Sequence, residues 1–141
     1  MIFACLLSFS ACGKIKDENG EENTSLCQLT LSQLTAKNPA LLEVGSIENN
    51  KNGVYSLTVN SLSGVKILYK FDASEELNYS FKATSTLKSG NLRFYVLCGG
   101  GIVKDVPVGE SVTVELAGLS GITEFRIAGE SANVSVTIEK N

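Results

Sequence analysis

Apolar and polar residues alternate along short runs of this chain, and turn residues separate the runs. Successive side chains of a β-strand point to opposite faces, so alternation with a period of two predicts strands with one buried face. The run 64–72 places these apolar residues on one face: Val65, Ile67, Tyr69 and Phe71. The other such runs are 53–61, 77–85, 91–98, 111–118, 121–129 and 132–140.

Glycine-containing turn signals fall between these runs. Asn-Gly and Ser-Gly supply the positive φ that tight hairpins need. No connection is long enough for the crossover helix of a parallel βαβ unit. We therefore predict an all-β fold, an antiparallel β-sandwich or jelly roll of about eight strands. The predicted turns are Asn52-Gly53, Ser63-Gly64, Ser89-Gly90, Gly99-Gly100-Gly101, Val108-Gly109, Ser120-Gly121 and Gly129-Glu130.

The stretch 25–36 is ambiguous. Cys27, Leu29 and Leu31 alternate as in a strand, whereas Leu26, Leu29 and Leu34 also fit one face of a helix. Pro39 ends either element. We interpret the stretch as the first strand of the domain.

The N-terminal stretch Ile2–Ala11 carries no charge. It is too short for a transmembrane helix, which takes about 20 residues, and it fits the apolar core of a signal peptide. Secretory signals normally begin with Lys or Arg, and Met1–Phe3 contains neither. We therefore expect the natural start to lie upstream, which makes residues 1–11 a truncated signal peptide.

The residues Phe9-Ser10-Ala11-Cys12 resemble a bacterial lipobox, in which small residues precede a cysteine that is lipidated and becomes the first residue after cleavage. Ser10 and Ala11 fit this pattern, and Phe9 departs from the usual Leu. The resemblance implies lipidation of Cys12. The alternative is an ordinary secretory signal with a chance cysteine.

The residues after Cys12 are polar and charged, as in a solvated tether. This gives residues 1–11 as signal peptide, 12–24 as lipidated cysteine and flexible tether, and 25–141 as the β-sandwich domain. In Gram-negative lipoproteins a residue other than Asp after the cysteine, here Gly13, implies the outer membrane. The acidic stretch 16–18 is similar to tethers of lipoproteins exported to the cell surface.

Processing at Cys12 leaves Cys27 and Cys98 as the spare thiols. Exported compartments permit disulfides, so we predict a Cys27–Cys98 bridge. The alternative is two buried free thiols, since cysteine packs well as a small hydrophobe.

Catalytic chemistry has little support in the sequence. The chain has no histidine, which removes the commonest general base and metal ligand. No Cys-x-x-Cys spacing suggests zinc, the run 99–101 is typical of a hairpin loop, and the acids of 72–76 lack the pattern of a calcium loop. We predict no catalytic residues, no metal and no cofactor. The formal net charge of -3 gives no basic footprint for nucleic acid.

The order of strands and turns over 77–139 resembles bacterial accessory β-sandwiches, the prepeptidase-type C-terminal and carbohydrate-binding-like modules. The resemblance implies a binding role and carries no functional residues. We expect a non-enzymatic lipoprotein of the cell envelope, anchored to the outer membrane or cell surface and serving binding, adhesion or structure. The alternatives are a carbohydrate-binding module and a small envelope enzyme or inhibitor.

Arg93 and Tyr95 are the candidate ligand-binding residues. In the run 91–98 they lie on the face opposite Phe94 and Val96. Tyr and Arg are enriched at binding hot spots, so we expect an exposed Tyr95 ring that contacts a glycan or a protein. The alternative is that both faces of a central strand are covered, which would bury the ring.

Overall fold

The structure, a computed structural model, describes residues 29–141. Within that range all strands pair antiparallel in one seven-stranded sheet of order β1-β3-β7-β4-β5, with β2 beside β3 and β6 beside β4. The predicted all-β antiparallel fold is confirmed. The elements are α1 (Leu31–Leu34), β1 (Leu41–Val44), β2 (Ile47–Lys51), β3 (Val54–Ala73), β4 (Asn78–Cys98), β5 (Gly101–Val106), β6 (Ser111–Ala117) and β7 (Gly121–Lys140).

Six of the predicted strands are joined in pairs into the three long strands β3, β4 and β7. The turns predicted at Ser63-Gly64, Ser89-Gly90 and Gly129-Glu130 are therefore wrong, because the chain stays extended there. The pairing register shifts near Gly64 and near Gly90. Such bulges bend a strand, and bent strands can pass from one layer of a sandwich to the other.

Glycine is needed at these bends because two backbones approach closely. Gly64 has φ +109°, and a Cβ there would overlap the carbonyl oxygen of Ala40. Gly90 has φ +83°, and a Cβ there would overlap the carbonyl oxygen of Ser131. A side chain at either position would combine an unfavourable φ with a clash.

The bends fold the sheet into two layers. The first layer contains β2, β6, the N-terminal halves of β3 and β4, and the C-terminal half of β7. The second layer contains β5 and the other halves of the long strands, and β1 pairs with β3 at its bend.

Aromatic rings join the two layers across the core of this β-sandwich. The ring of Phe81, in the first layer, lies 5.0 Å from that of Phe125 in the second, and Tyr69 lies 5.9 Å from Phe81. The fully or nearly buried core also includes Tyr55, Leu57, Val59, Leu92, Phe94, Val96, Val114, Leu116, Ile127, Val134, Val136 and Ile138.

The predicted common face of 64–72 is only half right. Tyr69 and Phe71 pack against the core, whereas Val65 packs with Tyr95 on the outside of the second layer. The register of β3 shifts between Ile67 and Tyr69, and an irregularity of this kind moves the following residues to the other face. Strict alternation therefore fails across this point.

The strand predicted over 25–36 is wrong at Leu31–Leu34, which form the single turn of α1. A capping box explains the helix: the Gln33 amide donates to Thr30 Oγ1 at 3.2 Å, and the Thr30 amide donates to Gln33 Oε1 at 2.8 Å. Residues 25–28 lie outside the described part. Among the described residues no helix has the length and apolar character needed to cross a bilayer.

Two predicted hairpin turns are confirmed. Asn52 and Gly53 have φ +55° and +78°, and they join β2 to β3 where Lys51 pairs with Val54. Gly99 and Gly100 have φ +62° and +80° and join β4 to β5. Positive φ at both central positions is the geometry of a tight two-residue hairpin loop.

Candidate functional site

The structure corrects the expectation that Tyr95 is exposed. Arg93 and Tyr95 do lie on the face opposite Phe94, which is the outer face of the second layer. The Tyr95 side chain is nevertheless 0% exposed. The ring is buried because residues 29–40, which we call the strap, cross this face before β1 begins. The predicted contact surface is therefore covered by the chain itself.

Two apolar side chains anchor the strap: Leu34, which is fully buried, and Leu29, which is partly buried against the same cluster. Leu34, at the end of α1, is 0% exposed and packs with Val65, Tyr95 and Ala128, which all lie on this outer face. Burying a leucine side chain contributes roughly 1.5–3 kcal/mol. Leu31, in the same helix, is 58% exposed, so the helix has one covered side and one open side.

Hydrogen bonds to the strap's main chain reinforce this anchor. The Tyr95 hydroxyl donates to the Leu34 carbonyl oxygen at 2.6 Å. Arg126 Nη1 donates to the carbonyl oxygens of Leu34 at 3.0 Å and Ala36 at 2.8 Å. The Val65 amide donates to the Ala40 carbonyl oxygen at 3.0 Å. These donors satisfy carbonyl groups that α1 and its following loop leave without helical partners.

Arg126 is a buried cation, only 1% exposed. Its Nη2 lies 2.6 Å from Glu124 Oε1, and its Nε donates to the same oxygen at 2.7 Å. A buried guanidinium needs both a counter-charge and acceptors for its remaining N–H groups, and Glu124 and the strap supply them. The sequence analysis did not select Arg126. Arg126 on β7 is paired directly with Tyr95 on β4, so the two side chains lie on the same face of the sheet.

Arg93 lies at the border of the covered face. Its Nε and Nη2 donate to the two carboxylate oxygens of Asp105 at 2.8 and 3.1 Å. Its guanidinium carbon lies 5.7 Å from the centre of the Tyr95 ring, within the range of a cation–π contact. The Arg93 side chain is 17% exposed. The bidentate pair and the ring contact fix Arg93 as part of the packing around Tyr95.

Cys98 lies at the end of β4, beside an open cleft of about 320 Å³. Lys37 of the strap, Glu124 and Arg126 also line this cleft. Within residues 29–141 Cys98 has no disulfide partner and is only part-buried: its Sγ donates to the Ser120 carbonyl oxygen at 3.5 Å and accepts from the Thr123 hydroxyl at 3.3 Å.

The predicted disulfide and the predicted lipidation each involve a residue outside the described part, because Cys27 and Cys12 both precede residue 29. Leu29 and Ile102 pack against the same outer-face cluster, and Ile102 pairs with Leu97, the neighbour of Cys98. The pairing of Cys27 with Cys98 stays a prediction.

A second polar cluster joins the edge strands to β3. Lys66 Nζ lies 3.1 Å from Glu43 Oε2 and 3.5 Å from Glu48 Oε1. The hydroxyl of Tyr55 donates to Glu48 Oε2 at 2.6 Å. Burial raises the pKa of Tyr55 above its ordinary value, and the hydrogen bond to Glu48 raises it further. In this cluster the protonated Tyr55 hydroxyl and the Lys66 ammonium contact the carboxylates of Glu43 and Glu48. These contacts hold β1 and β2 in register.

The acidic residues of 72–76 form the end of β3 and the turn that follows it. In that turn the Leu77 amide donates to the Ser74 carbonyl oxygen at 3.0 Å. Across residues 29–141, no three Cys, Asp or Glu side chains are grouped as metal ligands would be. The acids of this turn thus have the surroundings of a solvated loop.

No known protein family matches the chain, and no curated protein matches it. A functional assignment therefore depends on the chemistry of its own residues. The residues to consider lie around Cys12, where an uncharged apolar stretch meets a charged one, and on the outer faces of the sandwich.

Proposed function

We propose that the protein is a lipoprotein of the bacterial cell envelope, anchored through Cys12, whose β-sandwich body is non-catalytic and serves binding, adhesion or structure. The observation that carries the proposal is the border at Cys12. Small residues and an uncharged apolar stretch precede it, and a charged, Gly- and Asn-containing stretch follows it. Such a border suits a cysteine that receives lipid on one side and begins a solvated tether on the other.

The arrangement of the body is compatible with attachment at its N-terminal end. The strap is the first part of the described chain, and it is tied to the second layer by Leu34 and by donors to three of its carbonyl groups. A tether that ends in the strap therefore joins the sandwich at a well-packed point. The outer face of the first layer remains available for contact.

The proposal of a non-catalytic body is supported by the residues at hand. The whole chain lacks histidine. The donors of Arg126 are engaged by Glu124 and by strap carbonyls, so this cation already has its partners. The Sγ of Cys98 is engaged by the Ser120 carbonyl oxygen and the Thr123 hydroxyl. These surroundings favour structural roles for the groups that would otherwise be candidates for catalysis.

The test is lipid labelling of the protein expressed from its own locus. Parent protein should incorporate a labelled fatty acid and sediment with membranes, whereas Cys12→Ser should do neither. Cys5→Ser is the matched control, because it removes a thiol from the same N-terminal stretch and should leave labelling intact. Equal labelling of parent and Cys12→Ser protein would rule out the anchor.

A further inference from the structure

The outer face of the first layer, which we call the open face, carries a regular array of hydroxyl and amide side chains. Register pairing across adjacent strands places these residues in two rows. The first row contains Thr58, Ser135 and Thr86, and the exposed apolar side chain of Ile47 lies at its β2 end. The second row contains Asn49, Ser56, Thr137, Thr84 and Ser111 and crosses five strands.

The hydroxyls of the open face keep hydrogen-bonding capacity for a partner. Thr84 Oγ1 and Ser111 Oγ lie 3.0 Å apart, and Ser135 Oγ lies 3.5 Å from Thr58 Oγ1. A hydroxyl has one donor and two acceptor sites, so one such bond leaves further sites free. Thr137 is exposed at the centre of the second row, and its hydroxyl has no hydrogen-bond partner within residues 29–141.

The two rows are uncharged, and charges begin only beside them. The next row along the strands contains Lys51, Glu139 and Lys82. The open face therefore presents a neutral strip with a row of charged residues along one side and the exposed Lys88, beyond Thr86 on β4, on the other. A partner that lies along this strip has to be neutral and has to accept and donate many hydrogen bonds.

We propose that the open face binds a neutral polysaccharide. A polymer of uncharged sugars offers hydroxyl groups that both donate and accept, which is the complement of this strip. Protein interfaces are centred on Trp, Tyr and Arg anchors, and these are not among the residues of the two rows. A nucleic acid needs Lys and Arg opposite its phosphates, and a lipid surface needs an apolar face with a basic border.

The spacing of the rows suits a polymer. Neighbouring strands are about 4.7–4.9 Å apart, and alternate residues on one strand are about 6.6–6.8 Å apart. The hydroxyl groups thus form a grid whose dimensions are comparable with those of one sugar ring. A chain lying along the second row meets one side chain from each strand, so individually weak contacts add through repetition.

This inference rests on the proposed function in one respect, which is that an envelope protein meets polysaccharides. The probes are insoluble cellulose, chitin and mannan, and the protein is the full-length chain in detergent. The parent should be retained by at least one of them. Thr137→Lys puts charge and bulk into the centre of the strip and should lower retention about tenfold, as expected for losing hydrogen bonds and desolvating a charge.

Val103→Lys is the matched control. Val103 is 43% exposed on β5, in the second layer, so this variant adds the same charge away from the open face. It should be retained like the parent. The melting temperatures of both variants should equal that of the parent, because both side chains are exposed. A Thr137→Glu variant gives a second reading with the opposite charge, and it should lose retention in the same way.

Two results would overturn the inference: no retention of the parent by any of the three polymers, or equal retention of parent and Thr137→Lys protein. Both are independent of the lipid anchor. If Cys12→Ser protein keeps its label, the anchor is wrong and the polysaccharide test still decides the open face. If labelling requires Cys12 and retention fails, only the polysaccharide inference falls.

Discussion

The two outer faces of the sandwich follow the same alternating pattern, but the face of the first layer is open and the face of the second layer is buried. On the first layer the outward residues are mainly Ser, Thr and Asn, and they form the open face. On the second layer the outward set includes Val65, Tyr95 and Ala128, and the strap buries it. Period two tells which residues share a face, and only their chemical type tells whether that face meets solvent.

The covered face, which is the outer face of the second layer, also contains a buried cation, Arg126. Arg126 is buried because Glu124 neutralises it and the strap presents carbonyl oxygens to it. The strap in turn depends on Arg126 and Tyr95 for partners to its carbonyl groups. Face and strap therefore stabilise each other, whereas the open face needs no cover.

The largest expected effect comes from Arg126→Ala. The variant leaves the largely buried Glu124 carboxylate without its counter-charge and the Leu34 and Ala36 carbonyls without a donor. Breaking a buried pair on one side costs about 3–5 kcal/mol of unfolding free energy. Denaturant unfolding measures this, with the exposed Lys70→Ala as control, expected within about 0.5 kcal/mol of the parent. Similar losses for the two variants would contradict a specific role for Arg126.

A somewhat smaller loss is expected for Leu34→Ala. Removing a fully buried leucine side chain costs about 2–5 kcal/mol. Leu31→Ala is the matched control, since Leu31 lies in the same helix turn and is 58% exposed, and it should change stability by less than about 1 kcal/mol. If the two alanine variants unfold at the same denaturant concentration, the strap does not cover the second layer as described.

The smallest effect is expected on the open face. Thr137→Val keeps the shape of an exposed β-branched side chain and removes its hydroxyl, so the unfolding free energy should stay within about 0.5 kcal/mol of the parent. Thermal unfolding measures the change. A loss of several kcal/mol would mean that this face is buried against something, and the contrast between the two faces would disappear.

The strands and most of their faces follow from the sequence because alternation is a local property. The bends do not, since glycine is used both in turns and at close backbone contacts, and Gly64 and Gly90 combine a positive φ with a close contact inside a strand. Ser63-Gly64 has the composition of a tight turn, whereas in the structure the absence of a side chain at Gly64 lets β3 pass close to the Ala40 carbonyl oxygen.

The candidate site was predictable in part. The common face of Arg93 and Tyr95 follows from alternation, but the cover over it depends on contacts between residues 61 positions apart, such as Tyr95 with Leu34. Two signals pointed to that cover. Thr30 and Gln33 have capping-box spacing, and the outward set of the second layer contains the apolar Val65, Tyr95 and Ala128 beside its charged residues.

The contrast between the two faces can be measured directly by nuclear magnetic resonance with a soluble paramagnetic agent, which broadens the signals of exposed groups. The account predicts strong broadening of the Thr137 methyl signal and protected signals for the Tyr95 ring and the Leu34 methyl groups. Broadening of the Tyr95 ring as strong as that of the Thr137 methyl would contradict it.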